Sequence, residues 1–129
     1  MIHGYFDASG HPKITIVVGG IRMQIEIEAL IDTGFDGKVS IPSIIATQLG
    51  LELISLEWVE LADGSIISSL IFKGQATLGG QTRDVEMMLT DADEALIGTG
   101  LLANYRLEID FVNRTIEIQE IQPKSTDQS

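Results

Sequence analysis

The stretch Glu28–Gly34 reads EALIDTG, and almost the same seven residues return at Glu94–Gly100 as EALIGTG. Only one position differs, with Asp32 in the first copy and Gly98 in the second. An apolar triplet before each Thr-Gly predicts a buried strand that ends in a tight turn, since glycine lets the backbone turn sharply. A carboxylate at that point is poorly solvated, so it must be paired, hydrogen-bonded or protonated. This setting makes Asp32 a candidate for chemistry.

The segment Asp32-Thr33-Gly34 also has a plain structural interpretation. Asp-x-Gly is ordinary turn chemistry, and so short a motif arises by chance in unrelated chains. The apolar triplet before it and the second copy at Glu94–Gly100 both argue against chance. The motif by itself leaves a simple turn and a catalytic loop open as interpretations.

Composition limits the class of protein. The chain has 129 residues, no cysteine and a formal charge of −11. This length predicts one domain over residues 1–121, and the polar segment 122–129 is expected to be a disordered tail. The lack of cysteine excludes disulfides and thiolate metal sites, and the negative charge argues against nucleic acids and anionic membranes as partners. With no signal-peptide pattern and no apolar run of bilayer length, we expect a soluble, cytoplasmic protein.

Alternating apolar and polar residues indicate that most of the chain forms β-strands. Turn signals predict hairpins at Asp7–Gly10, Gly19-Gly20, Asp63-Gly64, Gly79-Gly80 and Val112–Arg114. One short helix is predicted between Pro42 and Gly50, and a single helical turn in GLLANY at Gly100–Tyr105. Many short strands with regular turn signals favour an all-β barrel or sandwich.

Three segments in a fixed order carry a resemblance to a known family. They are ALIDTGFDGKVSIP at Ala29–Pro42, a hairpin at Trp58–Ser69 and ALIGTGLL at Ala95–Leu102. This set resembles the retropepsin-like (clan AA) aspartic proteases, nearest the small bacterial and archaeal members, over about Gly4 to Ile118. The resemblance implies a closed all-β acid-protease barrel with one or two short helices, assembled as a homodimer. It implies an aspartic endopeptidase that needs no cofactor.

The resemblance assigns the active-site loop residue by residue. Asp32 matches the catalytic aspartate, Thr33 the residue whose hydroxyl joins two such loops across the dimer axis, and Gly34 the glycine that completes the loop. Phe35 stands where viral members usually have alanine, so its ring must either pack inward or line a substrate pocket. Asp36 falls near positions that bind the substrate backbone in viral members.

The other two segments receive roles as well. Ala62, Asp63 and Gly64 match the tip of the flap, a hairpin that folds over substrate, and the ring of Trp58 is expected to pack. The segment Leu96–Gly98 matches the apolar-apolar-Gly stretch that packs behind the catalytic loop, and GLLANY matches a short helix after it. The apolar strands Arg106–Phe111 and Thr115–Glu120 are expected at the dimer interface.

The chemistry that the resemblance implies requires two carboxylates. Hydrolysis of a peptide by this route needs one carboxylate as base toward water and one as acid toward the substrate. Asp32 is the single aspartate in the required context, so a second copy of the chain must supply the other. The predicted partners are therefore the protein itself and a polypeptide substrate. An inactive dimer that binds peptides or acts as a scaffold is the alternative.

Metal chemistry is not expected. His3 and His11 are the two histidines, and a zinc site needs three or four convergent ligands. We expect both histidines to lie at the surface, and no metal to be bound.

Overall fold

The computed structural model describes residues 1–122, and these form ten β-strands and one short α-helix. The predicted all-β fold class is confirmed. The predicted tail at 122–129 lies outside the described residues except for Gln122. The elements are β1 (Ile2–Phe6), β2 (Pro12–Gly19), β3 (Gln24–Ile31), β4 (Val39–Pro42), α1 (Ser43–Leu49), β5 (Glu52–Glu60), β6 (Ile66–Leu78), β7 (Gln81–Thr90), β8 (Ala95–Ile97), β9 (Tyr105–Asp110) and β10 (Thr115–Glu120).

Six of the strands close into a barrel. The hydrogen-bonded order runs β6-β7-β4-β8-β3-β2, and β2 pairs again with β6 to complete the ring. Closure removes the free edges that an open sheet of these strands would expose. The interior is apolar, as the alternating pattern of the strands requires, and includes Ile14, Ile16, Ile41, Met87 and Ile97.

Two sets of strands extend beyond the ring. Among residues 1–122, β5 at one end pairs only with β6, and the two form a long hairpin. At the other end β1, β10 and β9 lie side by side, with β10 in the middle. Ile116 and Ile118 of β10 are buried and join this small sheet to the barrel core.

The two copies of the repeated sequence are neighbours in the barrel. Strands β3 and β8 pair in parallel, with Ala29 opposite Ala95, Leu30 opposite Leu96 and Ile31 opposite Ile97. The identical triplets are therefore in register, and the next residues, Asp32 and Gly98, occupy equivalent positions at the ends of the two strands.

Most of the predicted turns are confirmed, and one has a different length. Gly79 and Gly80 form a two-residue connection with φ of 61° and 84°, as the hairpin signal predicts. Gly19 instead pairs with Gln24 inside the sheet, so the loop is the four-residue segment 20–23. The Gly-Gly pair misled the prediction because Gly20 serves a tertiary contact, in which a Cβ would lie 2.4 Å from the Leu49 carbonyl oxygen.

One of the two predicted helices is present. Helix α1 follows Pro42 and ends at Gly50, which adopts a left-handed φ of 72° and donates its N–H to the Ala46 oxygen. The segment GLLANY forms consecutive turns rather than a helix. Its chain reverses at Asn104, which has a φ of 73° and leads directly into β9. Among the described residues, no helix is long and apolar enough to span a membrane.

Candidate active site

Asp32 lies where the buried strand β3 reaches the surface. Its side chain is half-buried, and its Oδ1 accepts a hydrogen bond from the Gly34 N–H at 2.9 Å. The backbone is held too, because the Asp32 N–H donates to the Ile97 oxygen at 2.9 Å and the Asp32 oxygen accepts from the Phe35 N–H at 3.1 Å. The carboxylate is therefore hydrogen-bonded, as expected from its place at the end of a core strand.

The second copy of the repeat holds the loop that carries Asp32. Three N–H groups donate from the second copy to carbonyls of this loop: Gly98 to Lys38 (3.1 Å), Thr99 to Phe35 (2.8 Å) and Gly100 to Gly37 (3.0 Å). These backbone hydrogen bonds hold the loop in place, and none of the three involves the Asp32 side chain. The half-buried Asp32 carboxylate is thus carried on a rigid support, which is the arrangement that a catalytic group needs.

Sterics explain the single difference between the two copies. A Cβ at Gly98 would lie 2.4 Å from the carbonyl oxygens of Phe35 and Gly37, and both oxygens belong to backbone that cannot move aside cheaply. Gly98 is also buried, so a carboxylate there would lose its hydration. The second copy therefore lacks aspartate because no side chain fits at that point.

The remaining loop residues divide into an exposed set and one packed ring. Thr33, Gly34 and Asp36 are exposed. Phe35 is half-buried, and its ring lies so close to Gly37 and Gly98 that a Cβ at either would come within about 2.6 Å of a ring atom. In the described chain the Phe35 ring therefore packs against the loop at these two glycines. The need for glycine at position 37 follows from this ring and was missed by the sequence analysis, although the motif Phe-Asp-Gly was visible.

The segment predicted to be the flap, Trp58–Ser69, is a hairpin, as its turn signal predicts. Ala62, Asp63 and Gly64 form its exposed tip between β5 and β6, and Gly64 has a φ of 85°. Asp63 Oδ1 accepts hydrogen bonds from the Ser65 hydroxyl at 2.6 Å and the Ser65 N–H at 2.9 Å. These bonds hold the pKa of Asp63 below its usual value, with the hydroxyl as the largest cause. Within residues 1–122, no hydrogen bond joins this tip to the Asp32 loop.

One face of the β5–β6 hairpin is apolar and exposed. Leu56 pairs with Leu70 and Trp58 with Ser68, so these side chains share a face, and Trp58 is 72% exposed. The expectation that the Trp58 ring packs is therefore wrong for the described chain, because no other element covers this part of the hairpin. A cavity of about 420 Å³ lies beside it, with apolar lining from Val59, Leu61, Ile67, Leu70, Met88 and Leu89.

A second cavity, of about 620 Å³, is charged and does not include Asp32 in its lining. Lys13 Nζ lies there, 2.6 Å from Glu94 Oε1 and 3.2 Å from Asp7 Oδ2. The bond to Glu94 is the main cause that raises the pKa of Lys13 to about 12. The other repeat glutamate, Glu28, accepts a hydrogen bond from the Tyr5 hydroxyl, and burial together with this bond raises the pKa of Tyr5 to about 12.

The other acidic and histidine residues lie in ordinary surroundings. Asp110 accepts hydrogen bonds from the Val112 and Asn113 N–H groups of its turn, as the hairpin prediction implies. His3 and His11 are exposed, as expected. Within the part of the chain that the structure describes, no three His, Asp or Glu side chains converge as metal ligands.

Solved structures of other proteins share this architecture. No protein-family model and no curated protein matches the chain. A retropepsin-like aspartic protease from Rickettsia conorii superposes with a TM-score of 0.65 at 19% identity, over 92% of this chain and 88% of that one. The fold is retropepsin-like.

Two viral enzymes show the same retropepsin-like fold at lower similarity. The EIAV protease complexed with the inhibitor HBY-793 has a TM-score of 0.56 and 13% identity, over 76% of this chain and 90% of its own. The protease of Simian Foamy Virus (mac) has a TM-score of 0.54 and 12% identity, over 70% and 91%. The resemblance inferred from the Asp32 loop and its second copy is confirmed at the level of the fold.

Proposed function

We propose that this protein is an aspartic endopeptidase, active as a homodimer in which each chain contributes Asp32. The observation that carries the proposal is the setting of Asp32, a hydrogen-bonded carboxylate on a loop clamped by the second copy of the repeat. Within residues 1–122, no hydrogen bond or ion pair joins Asp32 to another carboxyl group. A site that needs two carboxylates is thus half-formed in one chain.

The mechanism follows from two Asp32 carboxyls brought close together. At a separation of about 3 Å both cannot ionise cheaply, so they share one proton, as in known aspartic proteases. The ionised carboxyl takes a proton from a water held between the pair. The protonated one donates to the scissile carbonyl, and the two exchange roles when the intermediate collapses.

Neighbouring residues have supporting roles in this proposal. Thr33 and Gly34 are exposed beside Asp32, where a partner loop would meet them, and the Thr33 hydroxyl joins the two loops. The flap tip at Ala62, Asp63 and Gly64 closes over an extended polypeptide. Asp36 contacts the substrate backbone, and Phe35, whose ring packs against Gly37 and Gly98, lines the substrate pocket with its exposed part. A cytoplasmic location stays a prediction.

The proposal is tested by digestion of an unfolded protein from acid to neutral pH. Asp32→Asn should lower the cleavage rate at least about a hundredfold, since it removes the group that acts as acid and base. Asp84→Asn is the matched control, because Asp84 is an exposed aspartate on β7, away from the loop. A statine-type inhibitor should block the wild-type activity.

Three results would count against the proposal. Undiminished cleavage by Asp32→Asn would remove its central residue. Specific activity that stays constant on dilution through the dimer dissociation constant would contradict a shared site. A confirmed dimer without cleavage at any pH would favour the peptide-binding module, for which the exposed apolar face of the flap hairpin would be the binding surface.

A further inference from the structure

Arg83 of β7 points toward one end of the barrel core. Side chains of a strand alternate between its two faces, so Arg83 shares a face with Val85 and Met87. Those two residues are buried in the core, whereas Arg83, nearer the start of the strand, is half-buried. A charged group in such a place loses part of its hydration, so hydrogen bonds within the protein must replace the lost water.

Two groups of segment 98–105 hold the Arg83 guanidinium. Its Nη2 donates to the Leu101 oxygen at 2.8 Å, and its Cζ lies over the Tyr105 ring, 5.9 Å from the ring centre. Leu101 is almost fully buried, so its carbonyl needs a hydrogen-bond donor from the protein. Hydrogen bonds from a charged donor are stronger than those between neutral groups. The guanidinium therefore ties the Leu101 carbonyl to strand β7.

Leu101 belongs to the turn that clamps the Asp32 loop. Its N–H donates to the Gly98 oxygen at 3.1 Å, which makes the turn compact. From this turn the N–H groups at positions 98–100 donate to carbonyls of the Asp32 loop. Gly100, which supplies one of these three donors, comes directly before Leu101 in the chain. A displacement of the Leu101 carbonyl would therefore be transmitted to the clamp.

We propose that Arg83 is a positioning residue for the Asp32 loop, acting through the Leu101 carbonyl and the N–H donors at positions 98–100. Its effect on catalysis rests on the proposed function, whereas its effect on the loop can be measured in the chain itself. In the proposed dimer two Asp32 carboxyls meet at a separation of about 3 Å. A displacement of about 1 Å in one loop is then a large error, and misplacements of that size can lower a rate about a hundredfold.

The two contacts of position 83 require an arginine. A guanidinium is planar, so it can donate to the Leu101 carbonyl while its face lies over the Tyr105 ring. A lysine could donate to the same carbonyl but would lack the flat face. We therefore expect Arg83→Lys to keep the positioning in part. Arg83→Met, which has an apolar stem and no donor, should lose it.

Amide hydrogen exchange of the full chain tests the positioning directly. The amides of Thr99 and Gly100 donate to the Asp32 loop. In Arg83→Met they should exchange about tenfold faster, because a hydrogen bond from a charged donor contributes enough free energy for a change of that size. Exchange in Arg83→Lys should lie between that of Arg83→Met and that of wild type. Amides of strand β2 serve as the internal reference and should change much less.

Arg114→Met is the matched control. Arg114 is exposed in the turn between β9 and β10, and its Cζ lies 4.9 Å from the centre of the Phe6 ring. The control variant loses the same charge and a similar aromatic contact, while every bond described above for segment 98–105 stays in place. We expect its exchange at Thr99 and Gly100 to match that of wild type.

Cleavage by the proposed endopeptidase gives the catalytic readout, with kcat referred to the folded fraction of each variant. Arg83→Met should lower kcat about tenfold or more, since the carboxyls that act in the reaction are displaced. KM should stay within about twofold, because Arg83 lies outside the surfaces that we assign to substrate. Arg83→Lys should recover part of kcat, and Arg114→Met should leave both constants unchanged.

The outcomes separate this inference from the proposed function. Wild-type exchange at Thr99 and Gly100 in Arg83→Met, or acceleration spread evenly over the barrel, would overturn the positioning role. Local acceleration with unchanged kcat would overturn the effect on catalysis. Local acceleration in a protein whose wild type cleaves nothing would support the positioning and reject the protease. If Arg83→Met does not fold, Arg83→Gln takes its place, since its shorter stem draws the donor away from Leu101, and the same two amides decide.

Discussion

At the scale of single residues, Gly98 and Asp32 show how one duplicated sequence acquires two roles. Both follow the same apolar triplet, and the triplets pair in register between β3 and β8. The backbone of Phe35 and Gly37 then approaches one copy so closely that only glycine fits, whereas the other copy ends at the surface. The difference lies in what surrounds each strand end rather than in the strands themselves.

We expect Gly98→Ala to lower the free energy of unfolding by about 1–3 kcal/mol, because its Cβ would press on two backbone oxygens. Chemical denaturation of wild type and variant measures this. Gly34→Ala is the control in the other copy, where a Cβ would approach only Asp32 Oδ1, at 3.2 Å. Equal stability of Gly98→Ala and wild type would refute the steric explanation.

At the scale of elements, the β5–β6 hairpin depends on its own turn for order. The tip is closed by two backbone bonds, from the Leu61 N–H to the Ser65 oxygen and from the Gly64 N–H to the Leu61 oxygen. The Asp63 carboxylate adds two bonds from Ser65. Apolar side chains near the tip, including Trp58, Leu61 and Ile66, are exposed, so contacts with the barrel contribute little to holding the tip.

We expect Asp63→Ala to speed amide hydrogen exchange at Leu61 and Gly64 with little effect on the global unfolding midpoint. Since the Ser65 hydroxyl and N–H lower the Asp63 pKa, the charged form is the one that they stabilise. This contribution is present above the ordinary aspartate pKa of 3.8 and is lost as pH falls through the lowered value. Ser65→Ala should give a smaller effect. Unchanged exchange in Asp63→Ala would contradict this account of the tip.

At the scale of the whole molecule, net charge opposes the proposed dimer. Each chain carries a formal charge of −11, so two copies repel each other over distances longer than any single ion pair. Apolar contact and backbone pairing between the two copies must exceed that repulsion. The balance therefore depends on ionic strength.

We expect the dimer dissociation constant to fall severalfold as salt rises from about 0.01 M to about 0.15 M. Over that range the screening length shortens from about 30 Å to about 8 Å, which weakens the net repulsion. Sedimentation at neutral pH measures the effect. Near the isoelectric point, about pH 4.3, where the net charge is close to zero, the dependence should largely disappear. A dimer that weakens with added salt at neutral pH would show that local ion pairs, rather than net charge, dominate.

The sequence by itself determined the strands, most of the turns, helix α1 and the loop that carries Asp32. These depend on residues close together in the chain, namely the alternation of apolar side chains, the glycines at turns and the proline before the helix. The resemblance to a family rested on the same local segments in a fixed order. Those segments implied a retropepsin-like fold, and comparison with solved structures confirmed that fold.

Tertiary structure alone decided how those pieces meet. The in-register pairing of the two repeats, the contact that forbids a side chain at Gly98 and the loop at segment 20–23 each involve residues far apart in sequence. Trp58 illustrates the limit, since its aromatic ring predicts packing but no element reaches it in one chain. Local patterns specify which residues are able to form a turn or to be buried. Contacts between segments that are distant in the sequence decide which of these residues form turns and which are buried.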